Sequence, residues 1–167
     1  MGECMIVAWP DGWPVPVPYA MSEDVRLDAD ARLMWEALAV TADVRGWTRR
    51  WPASASDTRV DAGELARRCQ WTVPCCGTEG CEGCEPVPDV TRVRWAVDRL
   101  AAAGWVVRRR GGLHALPWVA EHIEHLAASG VLARPRGGWV NLPRALADAD
   151  TAGAAAQAQH VRREADR

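Results

Sequence analysis

With 167 residues the chain has the size of about one domain, and 49% apolar with 25% charged residues is the balance of a globular protein, not a disordered one. A formal net charge of −2 excludes a globally basic nucleic-acid coat, so any surface for a polyanion must be local. The N-terminal run MGECMIVAWPDGWPVPVP carries an acid at Glu3, has no basic flank and is interrupted by prolines, unlike a signal peptide, and no stretch reaches the ~20 apolar residues of a membrane span. The expectation is a cytoplasmic protein without membrane contact, in which clustered thiols stay reduced and bind metal more readily than they pair as disulfides.

The composition has a second feature. There are ten Trp, no Phe and one Tyr, and every one of the twenty basic residues is Arg. Arg, Ala, Gly, Pro and Trp have GC-rich codons, which points to a high-GC genome and says little about function.

In chain order, Cys4–Trp9 predicts a short strand, and a proline-punctuated extended segment follows through Pro18. The first helix begins after Asp28 as N-cap, places Ala31, Met34, Trp35, Leu38 and Thr41 on one face, and ends at Gly46. Residues 47 to 58 read as a loop. A second helix, DAGELARRCQ, opens with Asp61 and Glu64 in capping-box spacing, with Val60 and Leu65 placed for a hydrophobic staple. The third follows Pro86-Val87-Pro88 with Asp89 as N-cap. Its apolar stripe is Val90, Val93, Val97, Leu100 and Ala101, and Gly104 terminates it. WVVRRRGGLHALP then reads as a β-hairpin around Gly111-Gly112.

The chain next repeats itself. Leu100–Pro117 aligns without a gap to Leu126–Pro143 at an offset of 26 residues, so a second helix end with its own hairpin is expected. The divisions are an extended segment at 1–26, a main unit at 27–117 with an insertion at 70–88, a second helix-plus-hairpin unit at 118–145, and a helical or disordered tail at 146–167.

Helix, helix, arginine-rich helix and hairpin, in that order, together with ELARRC and VTRVRWAVDRLAAAGWVVRRRGG, resemble the winged helix-turn-helix domains of the MarR-like and GntR-like families. The resemblance spans roughly 27–117 and is most specific over 64–112. It implies a mainly α fold with small β wings (α+β) and double-stranded DNA as partner, in a transcriptional regulator of a bacterium, phage or mobile element. A DNA-binding accessory of replication or recombination is an alternative. It also implies that the third helix enters the major groove, with Thr91, Arg92 and Trp95 reading bases, Arg94 and Arg99 on phosphates, and Arg108, Arg109 and Arg110 of the wing on the backbone or minor groove. Arg134 and Arg136 would extend the footprint from the second hairpin. A homodimer would read a palindrome. A protein-binding adaptor, using Trp95 as anchor, is the reading from another class.

One part departs from that family. A turn of a few residues is replaced by about 18 residues between Gln70 and Asp89 that contain PCCGTEGCEGC. Cys81-Glu-Gly-Cys84 is a C-x-x-C pair, and tetrahedral zinc needs four such ligands. Cys69 with Cys75 or Cys76 is the preferred completing pair, a set of Cys75, Cys76, Cys81 and Cys84 the second choice. Structural zinc is expected, with an iron–sulfur cluster as the alternative. Cys4 is read as a buried small hydrophobe. His122 and His125 fit neither HExxH nor HxxEH, and His122-Ile-Glu124 precedes no Pro-Cys-x-x-Cys as a zinc deaminase requires, so they are read as surface histidines of a helix. No catalytic set is found, and the chain is read as a non-enzyme.

Overall fold

The computed structural model describes residues 4–10, 12–48, 61–79, 81–109, 114–128 and 142–149. Among these residues it has α+β content: short helices with three two-stranded antiparallel sheets. Strands β1 (Cys4–Ala8) and β2 (Pro14–Pro18) form the first sheet, followed by the short helix α1 (Tyr19–Glu23) and by α2 (Ala29–Thr41). Then come α3 (Ala62–Arg68), β3 (Thr72–Pro74), β4 (Pro86–Pro88), α4 (Val90–Ala102), β5 (Val107–Arg108), β6 (His114–Ala115), α5 (Pro117–Ala128) and α6 at 142–149. Among the described residues no helix is long and apolar enough to cross a membrane.

All three expected aspartate caps form. Asp28 Oδ1 accepts from the Ala31 amide at 2.9 Å, Asp61 Oδ1 from Glu64 at 2.7 Å and Asp89 Oδ1 from Arg92 at 3.0 Å. Each satisfies an amide that the first helical turn leaves without a partner. Helix α1 lies within the segment 1–26 expected to be extended, and α2, the first helix the sequence predicts, is shorter than its periodicity predicts. It ends at Thr41, whose hydroxyl donates back to the Leu38 carbonyl, because the chain must become extended at Ala42 to bridge Thr48. The turn between them is held by buried Asp43, whose Oδ1 accepts from the amides of Arg45 and Trp47. Trp47 bridges Ala115, and the Thr48 amide donates to the His114 carbonyl, so this hairpin lies against β6.

The core is centred on α2 and α4. Ala31, Met34, Trp35 and Leu38 of α2 and Val93, Ala96, Val97 and Leu100 of α4 are buried in one cluster with Leu65, Trp71, Leu116, Trp118, Leu142 and Leu146. Of the stripe its spacing predicts, Val93, Val97 and Leu100 are buried and Val90 and Ala101 half-buried, and Ala96 joins the buried face. Trp118 of α5 meets Trp35 edge-on at 6.2 Å, and the Leu142 amide donates to the Ala42 carbonyl, which ties α6 to the end of α2. The expected second hairpin, with Arg134 and Arg136, falls outside the described residues, as do Val60, residues 110–113 with Arg110, and the tail beyond 149.

Helices α3 and α4 end in the same motif. After α4, Gly104 has φ +81° and Trp105 donates to the Leu100 carbonyl. After α3, Gln70 occupies the equivalent position at φ 58° and Trp71 donates to the Ala66 carbonyl. A side chain in this left-handed region is strained, so Gln70→Gly should raise stability by up to ~1 kcal/mol in urea unfolding. Gly46 is the harder constraint: at φ +79° a β-carbon would also sit 2.6 Å from the Leu116 carbonyl oxygen, whereas at Gly104 nothing lies within 4 Å. Gly46→Ala should therefore cost more than ~2 kcal/mol and Gly104→Ala about 1, measured in the same experiment.

Candidate metal centre and the face of α4

The insertion between α3 and α4 is a β-hairpin, which the sequence pattern did not suggest. Thr72, Val73 and Pro74 pair with Pro88, Val87 and Pro86, and the cysteine run forms the far end. Prolines on both strands hide the usual strand signature. The Asp89 amide donates to the Trp71 carbonyl, so the hairpin base sits where α3 ends and α4 begins.

At its tip the thiol sulfurs of Cys76, Cys81 and Cys84 lie within 4.8 Å of one another, close enough to hold a metal ion. Cys81 and Cys84 are 3.3 Å apart, and interaction with Cys84 raises the Cys75 thiol above its ordinary value. The C-x-x-C pair is thus joined by Cys76, while Cys75 is not among the three. Cys69 is not brought to it. It is the C-cap of α3, packed against the core, and burial pushes its thiol up to about 12. Of the two expected sets, the structure brings together the members they share, Cys76, Cys81 and Cys84, and places neither Cys69 nor Cys75 in that group; β3 carries the chain away from Cys69 before the loop closes. The cluster itself is exposed, and hydrogen bonds from the Thr78 amide, Cys84 and Cys81 lower the Cys76 thiol to about 7.

Cys4, expected to be buried, is half-buried against the core, and burial raises its pKa. His122 takes no part in a metal group. Its Nδ1 lies 2.8 Å from the Trp118 carbonyl oxygen and its ring stacks on the Trp118 indole. Among the described residues the thiols are the only set of three His, Cys, Asp or Glu ligands close enough for a metal.

The residues expected to meet DNA are divided by the fold. Thr91, Arg92, Arg94, Trp95 and Arg99 are all exposed on α4, and Trp95 is 66% exposed. Arg92, however, grips Asp30 at the start of α2 through two hydrogen bonds of 2.7 and 2.8 Å, with its guanidinium 4.5 Å over the Trp71 ring. Arg99 pairs with Asp28, and Arg108 of β5 reaches back to Asp98. Trp105 Nε1 donates to Asp24 at 2.8 Å, and Arg26 pairs with the same carboxylate. No ion pair engages Arg94 among the described residues, and Arg109 stacks 5.6 Å from Trp47. Sequence reasoning missed the acidic partners Asp24, Asp28 and Asp30. Their signal was the acidic stretch of residues 20 to 30, but nothing local says that it faces α4.

The Arg92 hydrogen bonds hold the Asp30 carboxyl below its usual range. A depressed folded pKa means that the bridge contributes fully above the ordinary carboxylate value of about 3.9 and is lost as pH falls through the lowered one. At neutral pH the clamp is closed. No protein-family model matches the chain, and no curated protein or solved structure matches it.

Metal-free chain at pH 7.5 should be alkylated by iodoacetamide first at Cys76, which is exposed and half or more thiolate, and last at half-buried Cys69, whose thiol is pushed up to about 12. Added Zn²⁺ should protect Cys76, Cys81 and Cys84 and leave the Cys69 rate unchanged. Peptide mass mapping against time reads both.

Proposed function

We propose that the chain is a double-stranded DNA-binding protein of winged-helix type, acting in transcriptional regulation, with structural zinc at the tip of the β3–β4 hairpin. The observation that carries the reading is the element order. Helices α2, α3 and α4 are followed by the β5–β6 hairpin, and the 42–48 turn that follows α2 bridges β6, which is where the first strand of a winged helix would lie. Helix α4 buries one face and exposes another that begins with Thr91, Arg94 and Trp95 at its N-terminal end, the end that meets base edges in this mode of binding. Arg94 is the exposed cation best placed for DNA. Arg92 and Arg99 are already paired with Asp30 and Asp28 at the start of α2.

Zinc fits the thiols better than a cluster of irons. A tetrahedron with Zn–S bonds of about 2.3 Å has sulfurs ~3.8 Å apart. The observed group falls within 4.8 Å, whereas a multi-iron core spaces its cysteines more widely. Cys76, Cys81 and Cys84 would hold the ion, with Cys75 as fourth ligand, and its role is to close the hairpin.

A second reading, an adaptor for a protein partner, is favoured by the exposed Trp95 flanked by neutralised arginines. Salt separates the two. Selection from a random duplex library should yield a preferred site whose log affinity falls linearly with log salt. Arg94→Ala should weaken that complex about 10-fold or more, while Asp30→Asn, which releases Arg92 and removes a negative charge, should strengthen it. No salt-dependent duplex binding by the zinc-loaded chain would leave the adaptor reading in its place.

A further inference from the structure

We infer that the chain self-associates through the outer edge of β1, two copies pairing antiparallel into a four-stranded sheet about a two-fold axis at Ile6. The inference does not depend on the DNA reading.

The hydrogen-bond phase of the β1–β2 hairpin decides which backbone groups are free. The Trp9 amide donates to the Trp13 carbonyl at 2.8 Å, which makes this a hydrogen-bonded pair closing the strands. In an antiparallel ladder such pairs alternate with non-bonded ones. Val7↔Val15 and Met5↔Val17 are therefore bonded, while Ala8↔Pro14, Ile6↔Pro16 and Cys4↔Pro18 turn their backbone groups outward. On β2 all three outward residues are prolines, so that edge offers no N–H to a further strand. On β1 they are Cys4, Ile6 and Ala8, each with a donor and an acceptor that no described residue engages.

Alternate prolines are a known protection of a sheet edge, as are charges. β2 has that protection and β1 has neither: CMIVA carries no charge and no proline, with Met5 38% and Ile6 44% exposed. The outer backbone of β1 has no hydrogen-bond partner among the described residues.

The occupant follows from symmetry. The outward positions 4, 6 and 8 are centred on Ile6, so a second β1 in antiparallel sense matches Ile6 with Ile6 and Cys4 with Ala8, donor to acceptor at every place. The strand is uncharged, so two copies meet without repulsion. Five residues per copy bury well under the ~1,200 Å² of a stable interface, so the dimer is reversible and concentration-dependent.

Sedimentation velocity of the zinc-loaded full chain from ~10 to ~500 µM should show a monomer–dimer equilibrium, since an interface of this size is weak. Ile6→Pro copies on β1 what Pro16 does on β2. It removes an outward donor without touching the β1–β2 ladder and should raise the dissociation constant at least ~30-fold, as the loss of two hydrogen bonds implies. Ile6→Val keeps the backbone and should dimerise like the parent. If Ile6→Pro does not fold, as judged by circular dichroism, Ile6→Lys tests the same edge by placing two charges on the axis. A parent chain that stays monomeric to ~500 µM, a concentration ample for a weak interface, would overturn the inference, as would a dimer that persists unchanged in these variants.

Discussion

The packing of α4 on α2 is the constraint from which the rest of the structure follows. Val93, Ala96, Val97 and Leu100 recur at helical spacing and meet Ala31, Met34, Trp35 and Leu38 in a cluster that also takes in Leu65 and Trp71. Removing one of these large side chains would forfeit its transfer energy and leave a cavity, a loss of 2–5 kcal/mol in a typical core. With that face buried, the remaining sides of α4 are assigned. Arg92 and Arg99 lie along the edge nearest the start of α2 and reach Asp30 and Asp28, while Thr91, Arg94 and Trp95 are left to solvent. Exposed ion pairs contribute little to stability. Their consequence here is electrostatic, because they cancel two of the cations a polyanion would seek.

The thiol cluster stands apart from this core. Its sulfurs lie at the end of a two-stranded hairpin with little apolar support, and three residue pairs in the ladder are too few to hold such a loop closed unaided. A metal there joins positions that the ladder alone leaves loose, and closing a long loop removes entropy from the unfolded chain. Because the hairpin base meets Trp71 and Asp89, order at the tip reaches the first turn of α4, where the Asp89 cap and the stacked Arg92 sit. The proposed zinc therefore bears on the helix proposed to read DNA without touching it.

The sequence by itself determined the local features. Each Asp cap needs only a short polar side chain three residues before an amide, and each apolar stripe needs only period, so the starts of α2, α3 and α4 and the buried face of α4 were legible. The C-x-x-C pair was equally plain. What lay between these elements was not. Proline-bearing β3 and β4 do not look like strands, and α2 stops at Thr41 because a bridge partner, Thr48, must be met in extended form. Only the tertiary structure decided which thiols meet and which arginines are spent. Cys69 and Cys76 are alike in sequence, but one is turned into the core by the end of α3 and the other is carried to the hairpin tip. Arg92 and Arg94 are alike too. The partner that separates them, Asp30, is 62 residues from Arg92, and no local pattern can specify a contact over that distance, because it is set by the packing of α4 on α2.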